Sequence, residues 1–441
     1  MKYHLRIHLI LGIWLAPMAM EQTVVIHPGQ VLHEVGHHPV GINLNFLMDD
    51  DIRLKPQKSL SATLKEMGVK WLRYPGGEKS DAYLWSKAPW STAQPAWARS
   101  GPSAWPSNEG RFTSNGMPNP NTMDFDEFLD VLDACQCQAM IVVNADGYLN
   151  PPSGGFAASR DSLLKTAEEW VRYANIVKGK GIKYWMVGNE TWNSGSYNGV
   201  TDAWTYAQDV RDFADRMKAV DPSIKIIANG NGRSWWQVLL QTAGASIDAL
   251  GVSDYPVWQW NGGYSYWEGG QGDLDGKINE AKSAILDFGG NRASQIQVIS
   301  AEYNAIDWAG NWASVNDWGH ALVNASKTGR LLNDSKVELS FFWNTRWVNN
   351  DQQTELFDVL DRYGNITPQG RALEAFGRFQ RDAMVRVEAS SPLEAYASKD
   401  SEGMTLWIIN KSGQSQSIIA PAIIIVNNPQ HTSHSGDERI S

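Results

Sequence analysis

Cysteine is scarce in this chain: Cys135 and Cys137 are the only two in 441 residues. That excludes a disulfide-built scaffold and a Cys-rich metal protein. One residue separates the pair, too close for an unstrained bridge, so they read as buried thiols at the end of a helix. Basic residues are outnumbered, 38 Lys and Arg against 48 Asp and Glu, for a net charge of −10. This argues against nucleic acid as the main partner, because phosphate binding needs a basic footprint. Long apolar runs are also missing, and nothing approaches the roughly 20 residues that span a bilayer. There is no Gly-x-Gly-x-x-Gly after the first strand-like run and no phosphate loop, so no cofactor is expected. The nine His stand at no metal-ligand spacing with carboxylates, so no metal is expected either. What is abundant is aromatic: 21 Trp, 14 Tyr and 12 Phe. That surplus either packs or lines a surface that binds something flat and amphipathic.

Residues 1–20 carry Lys2 and Arg6 ahead of the run Leu9-Ile10-Leu11-Gly12-Ile13-Trp14-Leu15-Ala16. A basic start followed by a short apolar stretch reads as an export signal, which predicts a secreted or periplasmic protein. Residues 21–39 then supply one strand of a β region, with 23–26 and Val31 as its apolar positions.

From residue 40 to 380 a rhythm of strand and helix takes over. Short apolar runs ending in polar residues fall at 41–46, 70–74, 139–144, 183–188, 225–229, 249–254, 297–302 and 338–343. Stretches of helical period separate them, among them 59–67, 126–134, 161–177, 201–220, 277–288 and 315–328. Eight such runs, each usually followed by a helix, spell an α/β chain in the form of a (β/α)8 TIM barrel. Residues 381–426 change character, with short alternating runs such as Leu393-Glu394-Ala395-Tyr396-Ala397 between turn-like segments. They predict a small C-terminal β-sandwich built from both ends of the chain, with fewer strands than a complete sandwich needs. The polar stretch 427–441 reads as a disordered tail.

Barrel enzymes place their chemistry at the C-terminal ends of the strands. Here those ends supply Asn43 and Asn45, then Arg73, then Asn144 and Asp146, then Asn189-Glu190, then Asn229 and Asn231. The last three supply Asp254-Tyr255, Glu302-Tyr303-Asn304, and Trp343, Asn344 and Arg346. Two strands thus deliver a glutamate to the same rim. A pair of carboxylates across a polar, aromatic-lined cleft suits glycoside hydrolysis, one protonated to assist the leaving oxygen and one ionised to attack. Two other acidic clusters are set aside. Asp49-Asp50-Asp51 reads as a solvated turn, and Asp273-Leu274-Asp275-Gly276 reads as a helix N-cap.

The motif Tyr184-Trp185-Met186-Val187-Gly188-Asn189-Glu190 resembles the acid/base strand of the clan A glycoside hydrolases, and Ser300-Ala301-Glu302-Tyr303-Asn304 resembles their nucleophile strand. Leu72-Arg73-Tyr74-Pro75-Gly76-Gly77 and Trp170-Val171-Arg172-Tyr173-Ala174-Asn175 are similar to glycoside hydrolase family 51, with families 39 and 79 close behind. The likeness runs over residues 40–380. It implies that Glu190 is the general acid/base and Glu302 the nucleophile. It implies that Asn189 bonds the sugar 2-hydroxyl, that Tyr255 and Arg73 hold Glu302 in place and ionised, and that Trp343 floors the cleavage point. Asn144, Asn45 and Trp258 complete the expected substrate contacts. The chain departs from family 51 at the end of the first strand, where that family usually carries a Glu and this chain has Asn43 or Asn45. It departs again at Asp254-Tyr255, where the family has a His-bearing pattern.

Many tryptophans fall between the runs: Trp85, Trp90, Trp97 and Trp105 after the second, Trp258, Trp260 and Trp267 after the sixth, and Trp235, Trp236, Trp308, Trp312 and Trp347 after others. Indoles stack on the apolar faces of sugars, so several platforms predict an extended cleft for a polysaccharide. The leading expectation is therefore a secreted retaining hydrolase that cuts a plant or algal polysaccharide inside the chain. An exo-acting α-L-arabinofuranosidase and a non-catalytic carbohydrate-binding barrel are the alternatives. The expected partner in each case is a polysaccharide or oligosaccharide.

Overall fold

The computed structural model describes residues 4–10, 22–35, 40–47, 49–100, 122–149, 156–193, 201–255, 260, 262–313, 315–346, 357–414, 416 and 423–425. Eight parallel strands close into a barrel. They are β1 (Val40–Asn43), β2 (Trp71–Tyr74), β3 (Gln138–Val143), β4 (Tyr184–Val187), β5 (Lys225–Asn229), β6 (Ala249–Asp254), β7 (Gln297–Tyr303) and β8 (Val337–Phe342). Closure is made by β8 on β1, where Phe342 pairs with Ile42. All eight strands expected from the apolar runs are present.

A main helix follows each strand: α1 (Leu60–Glu66), α2 (Phe125–Cys135), α3 (Arg160–Val171), α4 (Ala203–Val220), α5 (Arg233–Ala243), α6 (Gly276–Phe288), α7 (Trp318–Asn333) and α8 (Pro368–Phe379), with shorter helices at Asp51–Leu54 after β1 and Tyr264–Glu268 after β6. Local chemistry starts most of them. Ser59, Asp124, Ser159, Asp202, Asp317 and Thr367 each cap the first turn with a side-chain oxygen. At α2 the cap is reciprocal, with Glu127 N–H donating to Asp124 and Asp124 N–H donating to Glu127. Phe125, Phe128, Leu129 and Leu132 then recur on one face and are buried. Cys135 ends this helix as a buried free thiol, with Cys137 half-buried and also free. Asp275 stands before α6, but its side chain makes no capping bond and pairs with Arg330 instead.

Strand alternation divides the core in two. Met140, Val142, Tyr184, Met186, Ile227, Ile299, Ala301, Leu339 and Phe341 fill the barrel. Their neighbours Ile141, Val143, Trp185, Val187, Ile226 and Val298 point outward to the helices. Gly41 is required at this waist, because a Cβ there would sit 2.7 Å from the Phe341 ring.

In the β region the strands form one six-stranded sheet rather than two facing layers, among the described residues, and two short ribbons pair elsewhere, Tyr83–Leu84 with Ala96–Trp97 and Arg99–Ser100 with Phe156–Ala157. Val24–Glu34 lies antiparallel to Ala383–Ala389, so both ends of the chain do build it. Leu393–Lys399 and Gly403–Asn410 follow as a meander, and His4–Ile10 runs parallel along Gly403–Ile409 at one edge. Alternation in Gly403–Asn410 sends Trp407 and Ile409 toward the barrel and Met404, Leu406 and Ile408 to a second apolar cluster with Val24 and Ile26. Trp407 stacks on Phe376 at 4.9 Å and donates to Ala375 O at 2.7 Å, which docks the sheet on α8. Residues 11–20 of the expected leader and the tail 427–441 lie outside the described residues.

Candidate active site

Arg73 ends β2 on the inward parity set by Trp71, and it is fully buried. A guanidinium there must be matched by acceptors. It donates to Glu302 Oε1 at 2.9 Å, to Asn43 Oδ1 at 2.6 Å and to Asn189 Oδ1 at 2.6 Å. Strands β1, β2, β4 and β7 are thereby joined through one side chain. Asn43 spends its amide nitrogen on Ala301 O at 3.1 Å and Phe342 O at 3.2 Å. Its oxygen is therefore aimed at Arg73.

Glu302 reaches the mouth because β7 is irregular. Ser300 pairs with Val252 and Glu302 pairs with Ser253, which leaves Ala301 as an extra residue. Ile299 and Ala301 both point into the barrel. Strict alternation would turn Glu302 outward, but the bulge resets the parity. Tyr303 then takes the outward place, with its hydroxyl 2.9 Å from Thr328 Oγ1 on α7.

The other Glu302 oxygen accepts from Tyr255 OH at 2.7 Å. Burial pushes the Glu302 carboxyl up to about 7; Arg73 opposes this, the charge of Glu190 adds to it, and the Tyr255 and Arg73 hydrogen bonds lower it. Arg73 and Tyr255 both bond Glu302, and they moderate the effect of burial rather than reverse it. Tyr255 is itself buried, and its hydroxyl is raised by desolvation and then by Glu302.

Glu190 follows β4 and is half-buried, with a backbone φ of +42°. A non-glycine residue in this left-handed region costs on the order of 1 kcal/mol, and such positions cluster at functional sites. Trp343 follows β8, buried with Tyr255 and Ile306 in one cluster. Gly77 separates it from Glu302: a Cβ there would lie 2.7 Å from both Glu302 Oε1 and the Trp343 ring.

The other expected contacts divide. Asn45 is buried, and its Oδ1 accepts from Leu47 N–H at 3.1 Å. Asn144 commits its amide to the protein, donating to Ser80 O at 3.1 Å and accepting from Gly147 N–H at 2.9 Å. Trp258 lies outside the described residues. Asp254 is paired in the wall with buried Lys327. Asp49 and Asp50 are buried rather than solvated. Arg346 donates to Asp49 Oδ1 at 3.1 Å and to Asp51 Oδ1 at 3.0 Å, so a cation from the eighth strand end holds this turn. Burial still raises the Asp49 carboxyl to about 6 against the pull of Arg346. Among the described residues no three His, Cys, Asp or Glu side chains form a metal-sized group.

The tryptophans sort mostly as packing. Trp85 is fully buried, stacks near Trp170 at 6.2 Å and donates to Thr166 O at 3.0 Å. Trp235 and Trp236 belong to helix α5 rather than to a loop, and Trp236 is buried. Trp260 stacks on Trp312 at 5.2 Å, and Trp312 stacks on His320 at 3.7 Å. Trp308 differs: it is 46% exposed, and its ring stands edge-on to Tyr255 at 5.4 Å. Asn43, Gly77 and Trp308 are the site residues that motif reading undervalued. The inward parity of Asn43 with Arg73 was the available signal.

A closed eight-stranded parallel barrel with glutamates after β4 and at the end of β7, the latter bonded by an arginine from β2, resembles the arrangement of the clan A glycoside hydrolases. The likeness within that clan is to family 51. The family model described as the α-L-arabinofuranosidase 1 domain matches residues 63–265. The chain is 28% identical over 212 residues to α-L-arabinofuranosidase C of Emericella nidulans, which covers 46% of this chain and 38% of that protein. It is 27% identical over 205 residues to a probable α-L-arabinofuranosidase C of Aspergillus niger, covering 41% and 34%. The chain therefore spans little more than a third of the length of these relatives. Solved structures share the fold across most of the chain. An α-L-arabinofuranosidase from Thermotoga maritima in complex with arabinose superposes with a TM-score of 0.65 at 18% identity, over 88% of this chain and 85% of that one. A family 39 β-xylosidase from Caulobacter crescentus superposes with a TM-score of 0.55 at 12% identity, over 86% and 79%.

Proposed function

We propose that this chain is a retaining glycoside hydrolase that releases terminal α-L-arabinofuranosyl groups. The observation that carries the reading is Glu302, bonded to Arg73 at 2.9 Å and Tyr255 at 2.7 Å and close enough to Glu190 to feel its charge. Ionised Glu302 attacks the anomeric carbon while Glu190 protonates the departing oxygen, which gives a glycosyl-enzyme ester. Glu190 then takes a proton from water, the water attacks the same carbon, and Glu302 leaves as a carboxylate. Asn189, bonded to Arg73, presents its amide toward the sugar 2-hydroxyl. The arabinofuranosyl specificity is inferred from the relatives, which are α-L-arabinofuranosidases, and supported by the family-model match. Among the described residues, the burial of Trp85, Trp97, Trp236, Trp260 and Trp267 reduces the ground for an extended cleft.

The test is product analysis. Monosaccharide release from arabinan or arabinoxylan with retained configuration, abolished by Glu302→Gln, is the expected result. Sugar affinity without turnover in the unmodified protein would indicate a binding barrel.

Cleavage inside a polysaccharide remains a second reading, favoured by the exposed Trp308 beside Tyr255. Mixed-length oligosaccharides as first products would select it. We also propose export through the N-terminal leader. Sequencing the N-terminus of protein recovered outside the cytoplasm should find residues 1–20 removed; an intact Met1 would refute this.

A further inference from the structure

The loop that carries Glu190 is gripped by two side chains outside the acid/base and nucleophile strands. Gly188 has φ +68°, and a Cβ there would meet Thr191 Oγ1 at 2.5 Å, so the chain turns tightly at this point. The peptide N–H groups of the residues on either side of Glu190 are bonded to two different side-chain acceptors. Asn189 N–H donates to Asp81 Oδ1 at 3.2 Å, and Thr191 N–H donates to Asn229 Oδ1 at 2.8 Å. Asp81 ends the short helical turn Glu78–Asp81 that follows β2, and Asn229 ends β5. Both are buried.

Asn229 is fully engaged by this task. Its amide nitrogen donates to Val187 O at 3.0 Å, to Thr191 Oγ1 at 3.1 Å and to Tyr206 OH at 2.9 Å. Tyr206, from α4, also donates to Val187 O at 2.7 Å and accepts from Asn229 N–H at 2.8 Å. The strand end before Glu190 and the residue after it are therefore tied to the same side chain. A left-handed residue such as Glu190 persists only where its surroundings over-determine it, and these bonds do so.

We propose that Asn229 and Asp81 are positioning residues that fix the direction in which the Glu190 carboxyl meets the leaving oxygen. They act through the main-chain N–H groups of Thr191 and Asn189. This rests on the assignment of Glu190 as acid/base and goes beyond it. A misaimed acid weakens protonation of poor leaving groups and leaves good ones little affected, because good leaving groups depart without a proton.

The experiment uses aryl glycosides of the sugar that the wild type hydrolyses fastest, with phenols from dinitrophenol to unsubstituted phenol as leaving groups. Asn229→Ala should lose about 30-fold or more in kcat/KM on the phenyl glycoside and about 3-fold or less in kcat/KM on the dinitrophenyl one, within the usual range of general-acid effects. Asn229→Asp, which keeps the acceptor for Thr191 N–H, should recover part of the loss. Asp81→Ala should steepen the same dependence, and it stands in if Asn229→Ala does not fold. Equal loss across the series, or no loss, in the folded variants overturns the proposal while Glu190→Ala still shows the steep dependence. If Glu190→Ala itself shows no leaving-group dependence, the acid/base assignment fails and the proposal falls with it.

Discussion

Arg73 and Glu302 form an ion pair of 2.9 Å inside the barrel mouth, with the arginine fully buried and the glutamate nearly so. Neither charge has bulk water to turn to. Removing the cation from such a pair costs about 3–5 kcal/mol, because the remaining charge stays buried. Arg73→Ala should therefore lower unfolding free energy by roughly that amount and cut kcat/KM by about 100-fold or more. Arg73→Lys should recover little, since one ammonium cannot serve Glu302, Asn43 and Asn189 with the geometry of a guanidinium. Denaturant unfolding and kcat/KM measured on the same preparations check both. Wild-type stability in Arg73→Ala would contradict the pairing.

Tyr255 offers a test by pH. In the proposed mechanism Glu302 attacks in its ionised form, and burial raises its carboxyl to about 7, so kcat/KM should rise as pH rises through that region. The Tyr255 hydroxyl favours the ionised form by donating to it. Tyr255→Phe removes that donor, so the Glu302 pKa should increase and the acid limb should move to higher pH. A pH–rate profile with an unmoved acid limb would count against this role.

Gly77 is set by close approach. A methyl group there would stand 2.7 Å from Glu302 Oε1 and from the Trp343 ring. Gly77→Ala should displace both without removing any catalytic group. The expected cost is about 1–3 kcal/mol of stability and about 100-fold in kcat, as small misplacements of reacting groups give. Thermal unfolding and steady-state kinetics separate the two effects.

Asp146 is fully buried, and burial raises its carboxyl from 3.8 to about 7, with Arg99 opposing and Asp209 adding to the rise. The folded state therefore favours the protonated form. Its contribution to stability is complete below about pH 4 and is lost as pH rises through 7. Asp146→Asn should then be more stable than wild type at pH 8, by on the order of 2 kcal/mol, and equal to it at pH 4. Melting curves at the two pH values decide the sign. Asp81, whose carboxyl is raised by burial and by Asp146, should ease when that charge is removed.

The tryptophans predict two different outcomes. Trp85→Ala opens a cavity in the packing against Trp170 and Tyr173 and should cost about 3–5 kcal/mol. Trp308→Ala, on a half-exposed ring beside Tyr255, should cost less than about 1 kcal/mol and should raise KM instead. Equal destabilisation by the two substitutions would refute the division.

The strands, the helices and the rim on which polar residues gather were legible in the chain itself, because they depend on local periodicity and local caps. Asp124 with Glu127 starts a helix from four residues of sequence, and Met140 and Val142 declare an inward face by alternation. Glu190 and Glu302 stood out because they end apolar runs at the fourth and seventh positions of eight. Other features arise only when distant segments meet. The bulge at Ala301 that turns Glu302 inward follows from pairing with β6, and no local pattern marks it. Asn43 becomes the support of Arg73 because barrel closure brings Ala301 O and Phe342 O to its amide. Asp49 is buried because Arg346, 297 residues away, reaches it. The abundance of tryptophan showed that aromatic surface mattered, but whether each ring packs or faces solvent was decided by what covers it. For Trp85 and Trp236 the cover is the protein, and for Trp308 it is partly solvent.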